Sequence, residues 1–569
     1  MASLIFLDLV PSIVALGLIL LIPPEGLKLF HIVTTALTRI AARPQLSLWL
    51  VAGFAVLCCI GLSLIFGVPE PRVHDEFSYL LAADTFLNGR VTNLTHPLWR
   101  HFETFHVIHQ PTYASKFFPA QGLVLAGGRL IGGHPIIGVW VSVAALCAGI
   151  CWMLRAYVPR RWALLGAILA LLQVRLAVHV GAGGIWGYWS QSYWGGAVAA
   201  FGGTLLFGAL PRIMRKPTVG NSLLFALGLV ILANSRPFEG LVASILPVTR
   251  LVIWLARDNR FPRGLRLSQV GLPIMILVVA AAGMIGYYNF RVTGAPLQFP
   301  YQVHKDTYME SPLFAFQDLA TPKAYNHERI RNFHTGWELY PYLAQQTVLG
   351  VLAETGKKLA TLWGFYIGPM LSLPLLMVLP FLWRNQRMRL PLAVCALLVI
   401  AFMPLNWVLS HYAAPITCLT SLLGVQALRQ VRLWSWQGRA VGRRIAYGIP
   451  VAFIASTMVT TAIQLKYFSD WNTERARLVG ELNQKPGRHL VLVRYNTAGN
   501  DKQESHVEWV VNEADIDNAK VVWAREMNAE QNQKLLQYFK GREFWLLDYR
   551  EAQPSRFVKV TQSYPRSTD

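Results

Sequence analysis

The chain has 569 residues, of which 54% are hydrophobic and 14% charged, with a formal net charge of +22. That balance excludes an ordinary soluble globule of this size, and the gathering of apolar residues into long runs excludes a disordered chain. Lys and Arg are dispersed in short clusters between the apolar runs, a pattern of membrane topology that argues against a nucleic-acid partner.

In chain order, the first apolar run, residues 4–22, has no Lys or Arg ahead of it and ends in Pro23-Pro24-Glu25 without a small-residue cleavage pattern. It reads as a membrane helix rather than a signal peptide. Further runs long enough to cross a bilayer lie near 46–67, 135–154, 162–180, 193–211, 220–234, 238–256, 269–288, 361–383, 390–409, 412–428 and 446–466. Those at 220–234 and 412–428 are short for a full span. The fold class expected is an α-helical polytopic membrane protein of about 12 transmembrane helices with a small C-terminal α/β domain. All six cysteines fall inside apolar runs, where they read as packing residues and predict neither disulfides nor a zinc site.

Positive charge is retained on the cytoplasmic side, and one alternate set of connections carries it. That set holds Lys28, Arg39 and Arg43; Arg155, Arg160 and Arg161; Arg212, Arg215 and Lys216; Arg257 to Arg266; Arg384 to Arg389; and Arg429 to Arg444. Both termini are therefore expected to face outward from an inner (cytoplasmic) membrane. Three long hydrophilic pieces then fall on the extracytoplasmic side. Loops 68–134 and 289–360 interrupt a membrane domain of residues 1–466, and 467–569 form a soluble domain. Within this tail, apolar stretches at 489–494, 521–524 and 544–547 surround a helical pattern at 529–539, which predicts strands with one or two helices.

Chemistry is sought in the outer pieces. His74-Asp75-Glu76 follows the second apolar run, and two adjacent carboxylates at a helix mouth near low dielectric are paired, metal-bound or functional. An acid there can accept a proton from an acceptor hydroxyl, and it can equally cap the following helix. Farther along, His109, Tyr113 and Lys116 lie in an aromatic stretch ending Lys116-Phe117-Phe118-Pro119. Lys116 can hold a lipid phosphate or serve as a snorkelling anchor.

Three other features stand at outer edges of the apolar runs. Arg236 and Glu239, between two runs, fit an ion pair or a bound phosphate. Aromatics from Trp186 to Trp194 fit an interfacial belt or sugar stacking. His411 and Tyr412 can hydrogen-bond a pyrophosphate or a sugar. Arg175, within an apolar run, is a further candidate or an outer-end anchor.

The order of these elements resembles the GT-C superfamily of multi-spanning glycosyltransferases, in particular bacterial relatives of protein O-mannosyltransferases and aminoarabinose transferases. The resemblance spans roughly residues 46–430. It rests on Asp75-Glu76 opening an outer loop, the Lys116–Pro119 element, the basic inner loops and the late His411-Tyr412-x-x-Pro415.

The resemblance implies that Asp75 is the catalytic base with Glu76 as its neighbour, and that Lys116 touches the carrier phosphate. It also implies a polyprenyl-phosphate-linked sugar as donor, with membrane lipid around it and an acceptor left unidentified. Phe117 and Phe118 stand where the family has a proline directly after the lysine, and one extra apolar run precedes the loop. The second acidic pair of metal-dependent oligosaccharyltransferases is not evident. No cofactor is expected, with a divalent metal left open. The rival readings are a lipid or solute transporter, which usually shows internal repeats not detected here, and an assembly subunit that recruits partners through its tail.

Overall fold

The computed structural model describes residues 27–176, 189–438, 440–464, 471–496, 507–550 and 556–559, together with Val14 and Gly17. The chain divides into two compact units. One comprises Met1–Pro69, Ile136–Met284 and Thr347–Phe468, and the other Glu70–Pro135, Ile285–Gln346 and Ser469–Asp569.

The first unit is built of apolar helices. Five described helices are long and apolar enough to cross a membrane: Pro44–Phe66, Ile136–Leu154, Gly196–Arg215, Pro237–Arg257 and Arg263–Thr293, the last running on into the second unit. The chain is thus a multi-pass membrane protein. A backbone surrounded by hydrocarbon must satisfy its own N–H and C=O groups, so each apolar run becomes a helix. Local signals set the starts. Proline opens Pro44–Phe66 and Pro237–Arg257, where its missing N–H would have had no partner. Thr218 caps Val219–Ser235 by accepting from the Asn221 N–H at 3.4 Å. Helices Arg160–Leu176, Gln386–Phe402 and Val441–Gln464 coincide with the remaining expected runs.

Four expectations are corrected. The single span expected at 361–383 is two helices, Val348–Tyr366 and Gly368–Arg384, bent by 95°. Gly368 breaks them with φ +62, a left-handed conformation that glycine adopts without penalty. Both sides of the break are apolar, so hydropathy runs through it. The loop expected to continue to residue 360 therefore ends where a helix begins at Val348. Residues 23–45, read as an inner loop, contain helix Leu27–Ala42. The run at 412–428 starts as a 3-10 turn, Ser410–Ile416, before becoming helix Thr417–Val431. Of residues 4–22 only Val14 and Gly17 are described. The Arg175 side chain and Trp186, Gly187 and Tyr188 also lie outside the described residues.

The second unit draws on all three hydrophilic pieces. The tail forms a sheet of β3 (His489–Asn496), β4 (Val521–Arg525), β5 (Glu543–Arg550) and β6 (Arg556–Lys559) in the order β4-β3-β5-β6. β3 runs parallel to β4 and β5, and β6 is antiparallel to β5. Strand side chains alternate between faces, and here both faces are covered, as parallel sheets require. Leu490, Leu492 and Val522 pack with Leu81, Phe102, Val107 and Tyr113 of the first loop. Val491, Val493 and Trp523 pack with Leu478, Leu482 and Trp509 of the tail itself.

Charge is buried at the junction of these segments. Arg525, 2% exposed, pairs with the buried Glu508. It also donates from Nε to the Glu103 carbonyl at 2.7 Å. The Glu103 carboxylate accepts from the Tyr308 hydroxyl at 2.7 Å and the Asn326 amide at 2.8 Å. Removing one member of a buried ion pair strands the other. Arg525→Met is therefore expected to cost roughly 3–5 kcal/mol of stability, read as a lower thermal midpoint of the full-length protein. Adding Glu508→Gln to that variant is expected to recover most of the loss.

Candidate functional site

Helix His74–Leu87 opens the first loop of the second unit with two acids in its first turn, where the helix dipole favours negative charge. The capping reading describes Glu76. It is 4% exposed and accepts from the backbone N–H of Arg72 at 3.0 Å and of Val73 at 3.3 Å. Asp75 is different: its side chain is 31% exposed, with Oδ1 lying 3.5 Å from Nε2 of His106.

A hairpin fixes the partners of Asp75. Strands β1 (Val107–Ile108) and β2 (Ala114–Ser115) pair Val107 with Ser115, which sets His106 opposite Lys116. The His106 carbonyl accepts from the Lys116 N–H at 3.1 Å and from the Ser78 hydroxyl at 2.7 Å. Ser78 lies three residues after Asp75, on the same helix face, and its hydroxyl also meets that of Ser115 at 2.7 Å. Lys116 is 4% exposed. Its ammonium faces the rings of Phe117 and Tyr301, each 5.3 Å away. Burial lowers its affinity for a proton, opposed by the charges of Glu338 and Asp75.

Around this pair stands a group of histidines that sequence reasoning did not select. His106 lies 5.6 Å from His74 and 5.9 Å from His304, ring to ring, and His304 lies 5.8 Å from His334. His334 bonds Glu338 through Nδ1 at 2.6 Å. Burial and then the Lys116 charge hold His106 and His304 well below the usual histidine range, so both are neutral. A clue was present in the composition, since eleven of the 14 histidines fall in the three hydrophilic pieces.

His109 and Tyr113 stack on each other at 5.3 Å and belong to the packing of the loop against the tail. The Tyr113 hydroxyl donates to the Asn512 carbonyl at 3.2 Å. The first unit has its own polar cluster. Arg236 lies 3.6 Å from Glu239 and sits over the ring of Tyr412 at 4.7 Å. The neighbouring His411 meets Trp194 edge-on at 4.9 Å. Gly203 admits this turn, because a Cβ there would fall 1.9 Å from the Pro415 carbonyl oxygen. Residues 176 apart in sequence thus share one cluster. Among the described residues no group of three or more His, Cys, Asp or Glu side chains is arranged to hold a metal ion.

No family model matches the chain, and no curated protein does. Similar solved structures include ArnT from Cupriavidus metallidurans in the apo state. It is 11% identical, with 88% of this chain and 93% of that chain covered and a TM-score of 0.49. The same protein bound to undecaprenyl phosphate is 12% identical over the same shares, with a TM-score of 0.48. The oligosaccharyltransferase of Archaeoglobus fulgidus, in complex with zinc and sulfate, is 10% identical. It covers 88% of this chain and 67% of its own, with a TM-score of 0.49. At such identity and TM-score these similarities assign this chain neither a ligand nor an activity.

The buried histidines make the second unit acid-sensitive. Burial lowers His109 from 6.5 to about 3, so the unfolded chain takes up a proton that the folded chain refuses. Stability is then full above pH 6.5 and falls as the pH drops towards 3, by roughly 1.4 kcal/mol per pH unit for each such group. Thermal midpoints measured between pH 7 and pH 4 are expected to fall, and His109→Phe to fall less steeply.

Proposed function

We propose that the protein is a membrane glycosyltransferase of the GT-C type that moves a sugar from a polyprenyl-phosphate donor to an extracytoplasmic acceptor. The observation that supports it best is the placing of a partly exposed carboxylate, Asp75, and a buried ammonium, Lys116, on two elements joined through one residue, His106. Such a pair is suited to opposite demands of one displacement. Asp75 takes the proton of the incoming hydroxyl as the glycosidic bond forms. Lys116, held away from water, stabilises the charge that builds on the departing phosphate. A single displacement of this kind inverts the anomeric carbon.

Within the helical unit, taken by itself, Arg236, His411 and Tyr412 are proposed as substrate-binding residues suited to a lipid phosphate, with Glu239 orienting the guanidinium. Arginine suits phosphate because its fork of donors matches two oxygens at once. His109 and Tyr113 are assigned in this reading to substrate binding from the first loop. The shorter apolar helices are proposed to complete about twelve spans. On that topology loops 68–134 and 289–360, with residues 467–569, stand outside an inner membrane whose cytoplasmic side faces the basic connections.

Asp75→Asn preserves volume and removes the base. In a detergent assay with a polyprenyl-phosphate sugar and cell-envelope extract, it is expected to lower release of free carrier by roughly 10²–10⁴-fold while donor binding persists. Undiminished release would remove Asp75 from the mechanism. Arg236→Ala is expected to raise the apparent donor constant, and an unchanged constant would make its ion pair purely structural. Carrier release without any sealed compartment separates an enzyme from a transporter.

A further inference from the structure

We propose that His106 is a positioning residue, whose neutral imidazole donates from Nε2 to Asp75 and keeps that carboxylate ionised and aimed. The inference rests on Asp75 being the base, and three observations carry it. First, His106 has φ +60. Outside glycine this left-handed conformation is uncommon and costs free energy, so it persists where the surroundings over-determine it.

Second, those surroundings belong to the elements that carry the reacting groups. The His106 carbonyl is bonded to Ser78 on the Asp75 helix and to the backbone of Lys116, and the ring stands against Phe117 and Phe333. The strained backbone thereby aims Nε2 at Asp75. Their separation of 3.5 Å is long for a hydrogen bond, as catalytic contacts without substrate often are.

Third, the tautomer follows from the partners. A neutral imidazole facing a carboxylate carries its hydrogen on the facing nitrogen. Nδ1 is then an acceptor, buried with no hydrogen-bond partner among the described residues. The titratable groups facing His106 are Asp75 and His74 from the helix, Lys116 after β2, His304 from helix Pro300–Tyr308, and His334 from the turn Phe333–Trp337. Burial together with the Lys116 charge keeps the ring unprotonated, so its bond to Asp75 is that of a dipole and not a second ion pair.

His106→Gly tests this, because glycine accepts the positive φ while the imidazole is lost. The readout is the pH midpoint at which Asp75 couples to glycine ethyl ester through a water-soluble carbodiimide, which consumes the protonated acid. It is measured by peptide mass spectrometry on the full-length protein. A donated hydrogen bond favours the ionised form, so the midpoint in His106→Gly is expected to rise by about one pH unit. Opening the site to water would by itself move it down. His106→Gln, which keeps an N–H donor of similar reach, is expected to hold the midpoint near that of the unaltered protein.

In the transfer assay, kcat of His106→Gly is expected to fall about tenfold with the donor KM unchanged. A merely structural histidine would lower the thermal midpoint and leave the coupling midpoint in place. An unchanged coupling midpoint in His106→Gly overturns the proposal even if Asp75→Asn is inactive. Full transfer by Asp75→Asn would instead remove Asp75 from the reaction and leave the coupling result to be read separately.

Discussion

A guanidinium almost cut off from water holds the second unit together. Arg525 comes from the sheet of the tail, yet its charge is answered by Glu508 and its Nε by the Glu103 carbonyl in the first loop. Glu103 in turn takes hydrogen bonds from Tyr308 and Asn326 in the second loop. Three segments separated by long apolar stretches of sequence are thus tied together, because pulling one away leaves the Arg525 Nε or the Glu103 carboxylate without its hydrogen-bond partners. Burial raises the Glu103 carboxyl, and its two donors with the Arg525 and Arg100 charges oppose that rise. Apolar packing supplies area on both faces of the sheet, and the polar network selects which surfaces meet.

The consequence for chemistry is rigidity at one helix. His74–Leu87 is packed through Leu81 against the sheet. Its far end is held where Asp84 accepts from the Ala514 backbone at 2.8 Å and pairs with Arg129 at 3.1 Å. Its first turn is capped by Glu76. An acid on a helix fixed at both ends can be aimed, and Asp75 is aimed at a hairpin whose register brings His106 and Lys116 together. The tail is therefore part of the framework that orients this acid, which its sequence, lacking any recognisable motif, gave no reason to expect.

Much of the fold was legible because hydropathy reports it directly. Among the described residues the apolar runs became helices, that at 361–383 being broken at Gly368, and the three apolar stretches of the tail became β3, β4 and β5. The break at Gly368 was invisible since both flanking segments are apolar, and helix Leu27–Ala42 was hidden by its basic residues. At the site, Asp75 and Lys116 stood out as charges in unusual settings. His304 and His334 did not, because they lie 229 and 259 residues from Asp75 in the chain and only the fold brings them near. Of the two adjacent acids, the sequence offered no means of telling the cap from the acid that faces His106. The difference lies in which one reaches back to the backbone of Arg72 and Val73.

In the proposed reaction the Lys116 and Asp75 group receives the phosphate end of an isoprenoid lipid. This is tested most directly by photocrosslinking the purified full-length protein with a polyprenyl phosphate carrying a photoreactive group next to the phosphate. Adducts are expected on the peptides around Asp75 and Lys116, suppressed by excess unlabelled polyprenyl phosphate and not by the matching polyprenol. Adducts spread over the apolar helices, or competed equally by the alcohol, would contradict this.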